Sequence, residues 1–299
     1  MIGIDIGYSS TKVFINGKCS KFPTAISYAT DVGLSYGDSS VYSFEGEQFF
    51  VGDEAISGEA FNTIDYKFLH KYAPLIIYHL LKQFDGVNLA RPVEIKTGLA
   101  IVDWGNKEEF IKRISSFEVN GEKIELKVSL IPQGGGVYAD WIHRENKDKH
   151  PENAHILDIG FNTINSIHFE NGKPIRSKTN AYPTHGVISA VKPFVSYLEN
   201  RFRMSFSNAE AINYFVKGKF IFNGEEVKEV EEKIKELKAQ MVKRLFQSVL
   251  VNEKKVLSTS EVVIIGGGGA YLLKGVALPN NVRIIADSPE YSNVRGYML

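Results

Sequence analysis

IDIGYSSTKVFINGK, residues 4–18, and LDIGFNTINSIHFENGK, residues 157–173, are two versions of one pattern. Each runs from an apolar strand through Asp-Ile-Gly, an aromatic residue and small polar residues into a second strand that closes on Asn-Gly-Lys. The pattern predicts a buried strand over Ile2 to Ile6 and again over Ile156 to Ile159, a glycine-containing turn, and a return strand. Asn16-Gly17 and Asn171-Gly172 then predict type I′ turns, because both central residues of that turn need positive φ and Asn-Gly supplies it most easily. A unit repeated half a chain apart implies two similar domains.

The first turn of each copy suits an anion. Glycine lets backbone approach a bulky group, successive N–H groups in a tight turn form a nest for negative charge, and Ser or Thr hydroxyls add donors. The aspartate that ends the first strand suits a hydrated Mg²⁺, an ion that keeps much of its water and takes oxygen ligands. Asp5 and Asp158, one per hairpin, would flank a single metal, and Lys12 offers a point charge to a β- or γ-phosphate.

A third element, EVVIIGGGGAYLLKGV over Glu261 to Val276, joins a β-branched strand to four glycines and a helix-compatible run. Such a junction presents main-chain N–H groups with a profile slim enough for a sugar or base. The dinucleotide fingerprint after an early strand is not met, since Gly266, Gly268 and Gly269 come late in the chain, and no Walker pattern ending Gly-Lys-Ser/Thr occurs.

Composition narrows the classes. In 299 residues, 43% are hydrophobic and 23% charged, which is ordinary globular usage and argues against extended disorder. Thirty-five Lys plus Arg balance 35 Asp plus Glu, so no net field draws the whole chain to nucleic acid or an anionic membrane. The single cysteine, Cys19, has no intramolecular disulfide partner, and MIGIDIGYSS lacks the basic start and apolar core of a signal peptide, so a cytoplasmic location is expected. No apolar run reaches the roughly 20 residues that span a bilayer.

Taken together, duplicated Asp-Ile-Gly hairpins and a late strand-GGGG-helix resemble the superfamily of actin, sugar kinases and heat-shock chaperone ATPases, and within it the ParM/StbA-type and archaeal actin-like proteins. YSFEGEQFFVGDEA (Tyr42 to Ala55) is similar to the small insertion hairpin of their first half, and DSPEYSNVRGYML (Asp287 to Leu299) to their closing Asn-x-x-Gly helix. The resemblance implies an α/β fold of two similar actin-like, RNase H-like lobes around a nucleotide cleft. It implies a first lobe over 1–153 with an insertion near 28–63, a second over 154–286, and a terminal helix over 287–299 that packs back on the first.

By the same resemblance, Asp5, Gly7, Ser9, Ser10, Thr11 and Lys12 form a first phosphate turn, and Asp158, Gly160, Asn162 and Thr163 a second. Gly266, Gly267, Gly268 and Gly269 contact the adenosine. SLIPQGGGVYADWI (Ser129 to Ile142) is similar to the first interdomain connection, where Gln133 orients the attacking water; a neutral amide is a weak base but can align water behind a γ-phosphate. Catalytic roles thus fall to Gln133, Asp5 and Asp158, metal binding to Asp5 and Asp158, and the implied ligands are ATP and Mg²⁺. THGVISAV (Thr184 to Val191) resembles a second hinge. Relatives commonly carry an acidic residue where this chain has Asn165, and Glu199, Arg203 and Glu210 are polar candidates for the base and ribose, none preferred.

Other features read more plainly. NKDKHPEN (Asn146 to Asn153) predicts a surface link. Val227, Val230, Ile234, Leu237, Met241, Leu245 and Val249 recur at helical spacing, predicting an amphipathic helix that covers a sheet. The seven histidines show no zinc-ligand spacing, and the lysines near residue 238 alternate with glutamates, as on a solvated face. The resemblance implies a nucleotide-dependent ATPase that stacks head to tail into filaments and positions plasmid or other DNA through an adaptor, without touching nucleic acid or membrane itself. Two alternatives stay open: a small-metabolite kinase, with Asp103 or Asp140 as base, and a nucleotide-binding scaffold that does not polymerise.

Overall fold

A computed structural model describes residues 1–29, 41–56, 60–61, 65–84, 86–145, 150–273 and 276–299, without the side chains of Ala209, Phe246 and Leu250. Residues 30–40, 57–59 and 62–63 of the expected insertion, 146–149 of the expected link, and Lys274-Gly275 after the glycine run lie outside the described residues. The chain forms two compact units, one of Met1–Gly136 with Asn293–Leu299, the other of Val137–Ser292.

The first unit is built on a sheet of β1 (Ile2–Ile6), β2 (Ser10–Ile15), β3 (Lys18–Pro23), and β7 (Val93–Leu99), β8 (Ser116–Val119) and β9 (Glu122–Pro132), in the order β3-β2-β1-β7-β9-β8. β1 pairs antiparallel with β2 and parallel with β7. Between β3 and β7 come β4 (Ile26–Tyr28), β5 (Tyr42–Phe44) and β6 (Glu47–Val51), a small separate sheet, then α1 (Asp53–Ile56) and α2 (Tyr66–Lys82). α2 starts where Asp65 accepts from the Phe68 N–H at 2.8 Å and buries Leu69, Tyr72, Leu75, Ile76 and Leu80 in the core with Ile2, Ile4 and Val13. α3 (Lys107–Ser115) follows β7.

Pro74 lies inside α2, so the carbonyl of His70 loses its i+4 donor. Arg113 of α3 replaces it, donating Nε to that oxygen at 3.1 Å. The second unit repeats the device: Pro193 interrupts α5 (Ile188–Phe202), and Arg244 donates to the freed Ser189 oxygen at 3.5 Å.

The second unit carries β10 (Asn153–Ile159), β11 (Thr163–Glu170), β12 (Lys173–Pro174), β16 (Val262–Gly266) and β17 (Val282–Ile284) in the order β12-β11-β10-β16-β17, with β13 (Asn180–Pro183) pairing β11. β10 pairs antiparallel with β11 and parallel with β16, as β1 does with β2 and β7. The I′ turns are present: φ is 50° and 76° at Asn16 and Gly17, and 48° and 79° at Asn171 and Gly172. α7 (Lys228–Leu245) buries Val230, Ile234, Leu237, Met241 and Leu245, the stripe read from the sequence, and the chain continues into a π-turn over Phe246–Leu250 that buries Val249. α4 (Gly135–Arg144), α6 (Asn208–Lys217), the short hairpin of β14 (Ile221–Phe222) and β15 (Glu225–Glu226), α8 (Lys254–Thr259) and α9 (Ser292–Gly296) complete the α-helices and strands among the described residues.

Three expectations need correction. The compact units change over within α4 and α9, at Gly136/Val137 and Ser292/Asn293, rather than at 153/154 and 286/287. Packing explains the shift, since Tyr138 stacks on Phe169 at 4.1 Å and Arg144 reaches Asp287 at 3.3 Å, all within the second unit. For the same reason THGVISAV lies inside the second unit and is no connection between units. The run after the glycines is a 3₁₀ turn over Gly268–Leu273 instead of an α-helix, opened by an Ala270 N–H bond to Gly267 O at 3.1 Å.

Asn293–Leu299 is part of the first unit because backbone meets backbone there. A Cβ on Gly136 would strike Asn293, one on Gly296 would strike the Gly136 carbonyl, and one on Gly98 would strike the Tyr297 hydroxyl. Only glycine permits these approaches.

Candidate functional site

The two hairpins share one backbone bond at their turns. Gly7 N–H bonds Ser10 O at 3.2 Å, and Gly160 N–H bonds Thr163 O at 2.9 Å. Asp5 lies directly across the ladder from Lys12, and Asp158 directly across from Asn165. Each aspartate ends a buried strand and is itself 4% exposed.

In the first unit, Gln133 follows β9 and donates Nε2 to Asp5 Oδ1 at 2.9 Å, while Lys12 Nζ stands 3.7 Å from Asp5 Oδ2. The backbone fixes Gln133: its N–H bonds Leu99 O at 2.9 Å, and the next residue, Gly134, has φ of 91° and donates to Asn293 Oδ1 at 2.8 Å. A side chain on Gly7 would meet Lys12 Nζ at 2.7 Å, so glycine leaves the ammonium its place beside the turn. Gly7, Ser9, Ser10 and Lys12 are half-buried at the turn.

Thr11 departs from the expected phosphate role. Its side chain is fully buried and shares a 2.9 Å hydrogen bond with Thr24, so it braces the turn from within. Strand alternation carried the signal, because Thr11 shares a face with buried Val13 while Lys12 takes the other. Tyr8, absent from the expected set, anchors the turn by donating to Asp103 Oδ2 at 3.4 Å; burial, then the Asp103 charge, pushes its phenol well above the usual range. Burial also raises the Asp103 carboxyl, against the lowering effect of the Tyr8 bond.

In the second unit, Asn165 donates to Asp158 Oδ2 at 3.4 Å, so a neutral amide stands where Lys12 stands in the first. The turn over Gly160–Asn162 is clamped from the side by Gly186, Val187 and Ile188, whose N–H groups bond Asn162 O, Gly160 O and Phe161 O at 3.1, 3.2 and 2.8 Å. Asn162 and Thr163 are buried, and the half-buried Gly160 and Phe161 form the accessible part of the turn.

The glycine run divides in two. A Cβ on Gly266 would meet Val137 at 2.7 Å, one on Gly267 would meet Asp158 Oδ1 at 2.5 Å, and one on Gly269 would strike Ile159, so these three serve close packing. Gly267 also has φ of 79° and donates its N–H to Pro289 O. Gly268 alone of the four is exposed, and among the described residues a Cβ there would meet only Glu290 Cβ, at 3.8 Å.

The donors present fit a hydrated magnesium. Each unit offers one carboxylate at a strand end, and Asp5 Oδ2 has Lys12 only at ion-pair distance, which leaves that oxygen able to accept from metal-bound water. Among the described residues no three His, Cys, Asp or Glu side chains gather as a metal cage. The candidate kinase bases are both engaged: Asp103 holds Tyr8, and Asp140, 2% exposed, holds Arg144 Nε at 3.0 Å.

Two family models match the chain, one described as the N-terminal domain of actin-like proteins over residues 3–136, the other as the C-terminal domain of archaeal MreB-like actin homologues over 156–276. A 15-stranded ParM filament from Clostridium botulinum superposes with a TM-score of 0.78 at 17% identity, covering 99% of this chain and 97% of that one. The archaeal actin homologue Ta0583, in complex with ADP, gives 0.77 at 18% identity over the same shares, 99% and 97%. Bacillus thuringiensis ParM with ATP gives 0.65 at 14% identity, covering 100% and 96%. No curated protein matches the sequence significantly.

Proposed function

The chain belongs to the actin-like protein superfamily, and on that premise we propose that it is an ATPase that takes Mg²⁺-ATP with the phosphate turns of both units and assembles head to tail into filaments. The observation that carries the reading is the repeat itself: two aspartates, each 4% exposed at a strand end, in one cross-strand register beside one type of turn. A lone Asp-x-Gly turn has no such counterpart. The ParM filament and the ADP and ATP complexes among similar structures support nucleotide-linked assembly by analogy of fold.

In this reading Gly7, Ser9, Ser10 and Lys12 receive the β- and γ-phosphates, Gly160 and its neighbours receive them from the second unit, and Gly268 lies against the adenosine. Gln133 aligns the water that adds to the γ-phosphorus as the bond to the β-phosphate oxygen breaks, releasing ADP and phosphate. Asp5 and Asp158 would hold hydrated Mg²⁺, which supplies neutralisation of phosphate charge. Assembly by a heterologous contact does not close on itself, so it yields filaments. The same reading extends to a cytoskeletal role in the cytoplasm, in plasmid partition or other DNA positioning through an adaptor, by analogy with the ParM filament; the balanced charge gives the chain no net field of its own toward DNA, and among the described residues no helix is long and apolar enough to cross a membrane.

Light scattering, pelleting and phosphate release with Mg²⁺-ATP against Mg²⁺-ADP test this. Growth above a threshold concentration with ATP is expected. Turnover only with an added alcohol would move the protein to the kinases, a reading that the engagement of Asp103 and Asp140 disfavours. Nucleotide binding with neither turnover nor growth would make it a scaffold.

A further inference from the structure

We propose that Asp5 is the positioning residue that decides which end of the Gln133 amide faces the attacking water, an inference that rests on the reading of Gln133 as the water-orienting residue. A carboxylate only accepts hydrogen bonds, so the Gln133 atom that meets Asp5 Oδ1 at 2.9 Å must be the –NH₂ end. The amide is planar, and its other end is then Oε1. Asp5 therefore directs the acceptor oxygen of Gln133 away from itself, and an acceptor is what a water needs as its proton becomes acidic during attack.

The surroundings reinforce this assignment. Gln133 is held at its own backbone by Leu99 O and at the next residue by Asn293, so its side chain starts from a fixed root. Lys12 engages the other carboxylate oxygen, at 3.7 Å. The two oxygens of Asp5 thus face different partners, Oδ1 the glutamine and Oδ2 the lysine. Free rotation of the amide would present –NH₂ to the water in part of the population, a donor to an atom that must itself donate.

A donor–acceptor exchange tests the assignment. Asp5→Asn can either accept from or donate to Gln133, so it no longer selects one orientation. Gln133→Glu places two acceptors face to face. The double variant Asp5→Asn/Gln133→Glu restores one donor against one acceptor and leaves a carboxylate oxygen for the water. At saturating Mg²⁺ and ATP each single variant is expected to lose kcat, and the double to run about tenfold or more above the slower single, with the affinity of Gln133→Glu for ATP largely kept.

Chemical denaturation of the same four proteins, free of nucleotide and metal, reads the contact whether or not turnover is detected. Non-additive midpoints, with the double more stable than the singles sum to, are expected. Additive midpoints together with a double no faster than the slower single would overturn the orienting role. Gln133→Ala separates the two levels: if it leaves hydrolysis at the wild-type rate, the reading of Gln133 itself fails, whereas slowed hydrolysis without coupling in the exchange removes only the role of Asp5.

Discussion

Lys12 and Asn165 occupy the same place in the two repeats, each directly across an antiparallel ladder from the strand-end aspartate. The backbone is duplicated and the charge is not. Lys12 brings an ammonium to 3.7 Å from Asp5, while Asn165 offers Asp158 a neutral donor at 3.4 Å. If the proposed ATP site is right, the first unit would bring a cation to the phosphates, while the second sets a neutral amide across from its aspartate. Lys12→Asn is expected to weaken ATP binding at saturating Mg²⁺ by about tenfold or more, the scale of one charge-assisted contact. Asn165→Lys is expected to raise the Mg²⁺ concentration needed for binding. Calorimetric titrations of ATP across a Mg²⁺ series check both, and an Asn165→Lys protein with unchanged Mg²⁺ requirement would remove Asp158 from the metal.

Arg113 should be worth more to stability than its exposed ion pair with Glu45 suggests. Its Nε meets the His70 carbonyl that Pro74 deprives of a helical donor, and one of its terminal nitrogens reaches Lys71 O at 2.8 Å. Arg113→Ala is expected to cost about 1 kcal/mol, the usual net worth of a part-buried hydrogen bond, plus its lost packing. In a Pro74→Ala background the His70 oxygen regains an N–H, and the cost should shrink. Urea titrations of the four proteins measure it; an equal cost in both backgrounds would assign the loss to Glu45 or to packing. Arg244 and Pro193 should behave alike but more weakly, given the 3.5 Å contact.

Acid should weaken the first unit through His79. Burial depresses this imidazole from 6.5 to about 4, against a smaller opposing pull from Asp53. Its Nδ1 meets the Tyr42 hydroxyl at 2.9 Å and its Nε2 meets Gln83 Nε2 at 2.7 Å, so the neutral ring accepts from the glutamine and protonation sets donor against donor. The folded state binds the proton less readily than the unfolded chain, so this contribution is whole above about pH 6.5 and is lost as pH falls toward 4. It amounts to roughly 2–3 kcal/mol, from 1.36 kcal/mol per unit with some allowance for partial exposure. His79→Gln should flatten the pH dependence of the denaturation midpoint over that window, and an undiminished slope would place the acid sensitivity elsewhere, with buried His168 the next candidate.

Local rules carried much of this. Asn16-Gly17 and Asn171-Gly172 form the turns their φ preferences demand, and the stripe from Val230 to Leu245 buries the face its spacing marks. Both depend on neighbours in sequence. The bond from Gln133 to Asp5 joins residues 128 positions apart and depends on β9 lying two strands from β1, an order that periodicity does not encode. Thr11 was legible in principle, since a strand that buries Val13 must turn Thr11 inward as well. The unit boundaries were not, because a Pro-containing polar link at 146–153 looks like a border, whereas the border is drawn by where Tyr138 stacks. Four consecutive glycines also read alike, although their surroundings differ.

That difference supplies a direct probe of the nucleotide. Among the described residues a Cβ on Gly268 would make only an ordinary contact with Glu290 Cβ, at 3.8 Å, and the residue has no left-handed φ, so a side chain there should be accommodated at little cost. Gly269 has Ile159 in the way, and Gly267 combines a φ of 79° with Asp158 Oδ1 at 2.5 Å. Gly269→Ala and Gly267→Ala are therefore expected to destabilise the second unit by about 1–3 kcal/mol, the usual cost of overpacking or strain. Gly268→Leu should leave the melting temperature nearly unchanged yet weaken ATP binding about tenfold or more, because an isobutyl group fills the volume that an adenosine would use. Full affinity in a stable Gly268→Leu protein would move the adenosine off the glycine run and leave these glycines a packing role alone.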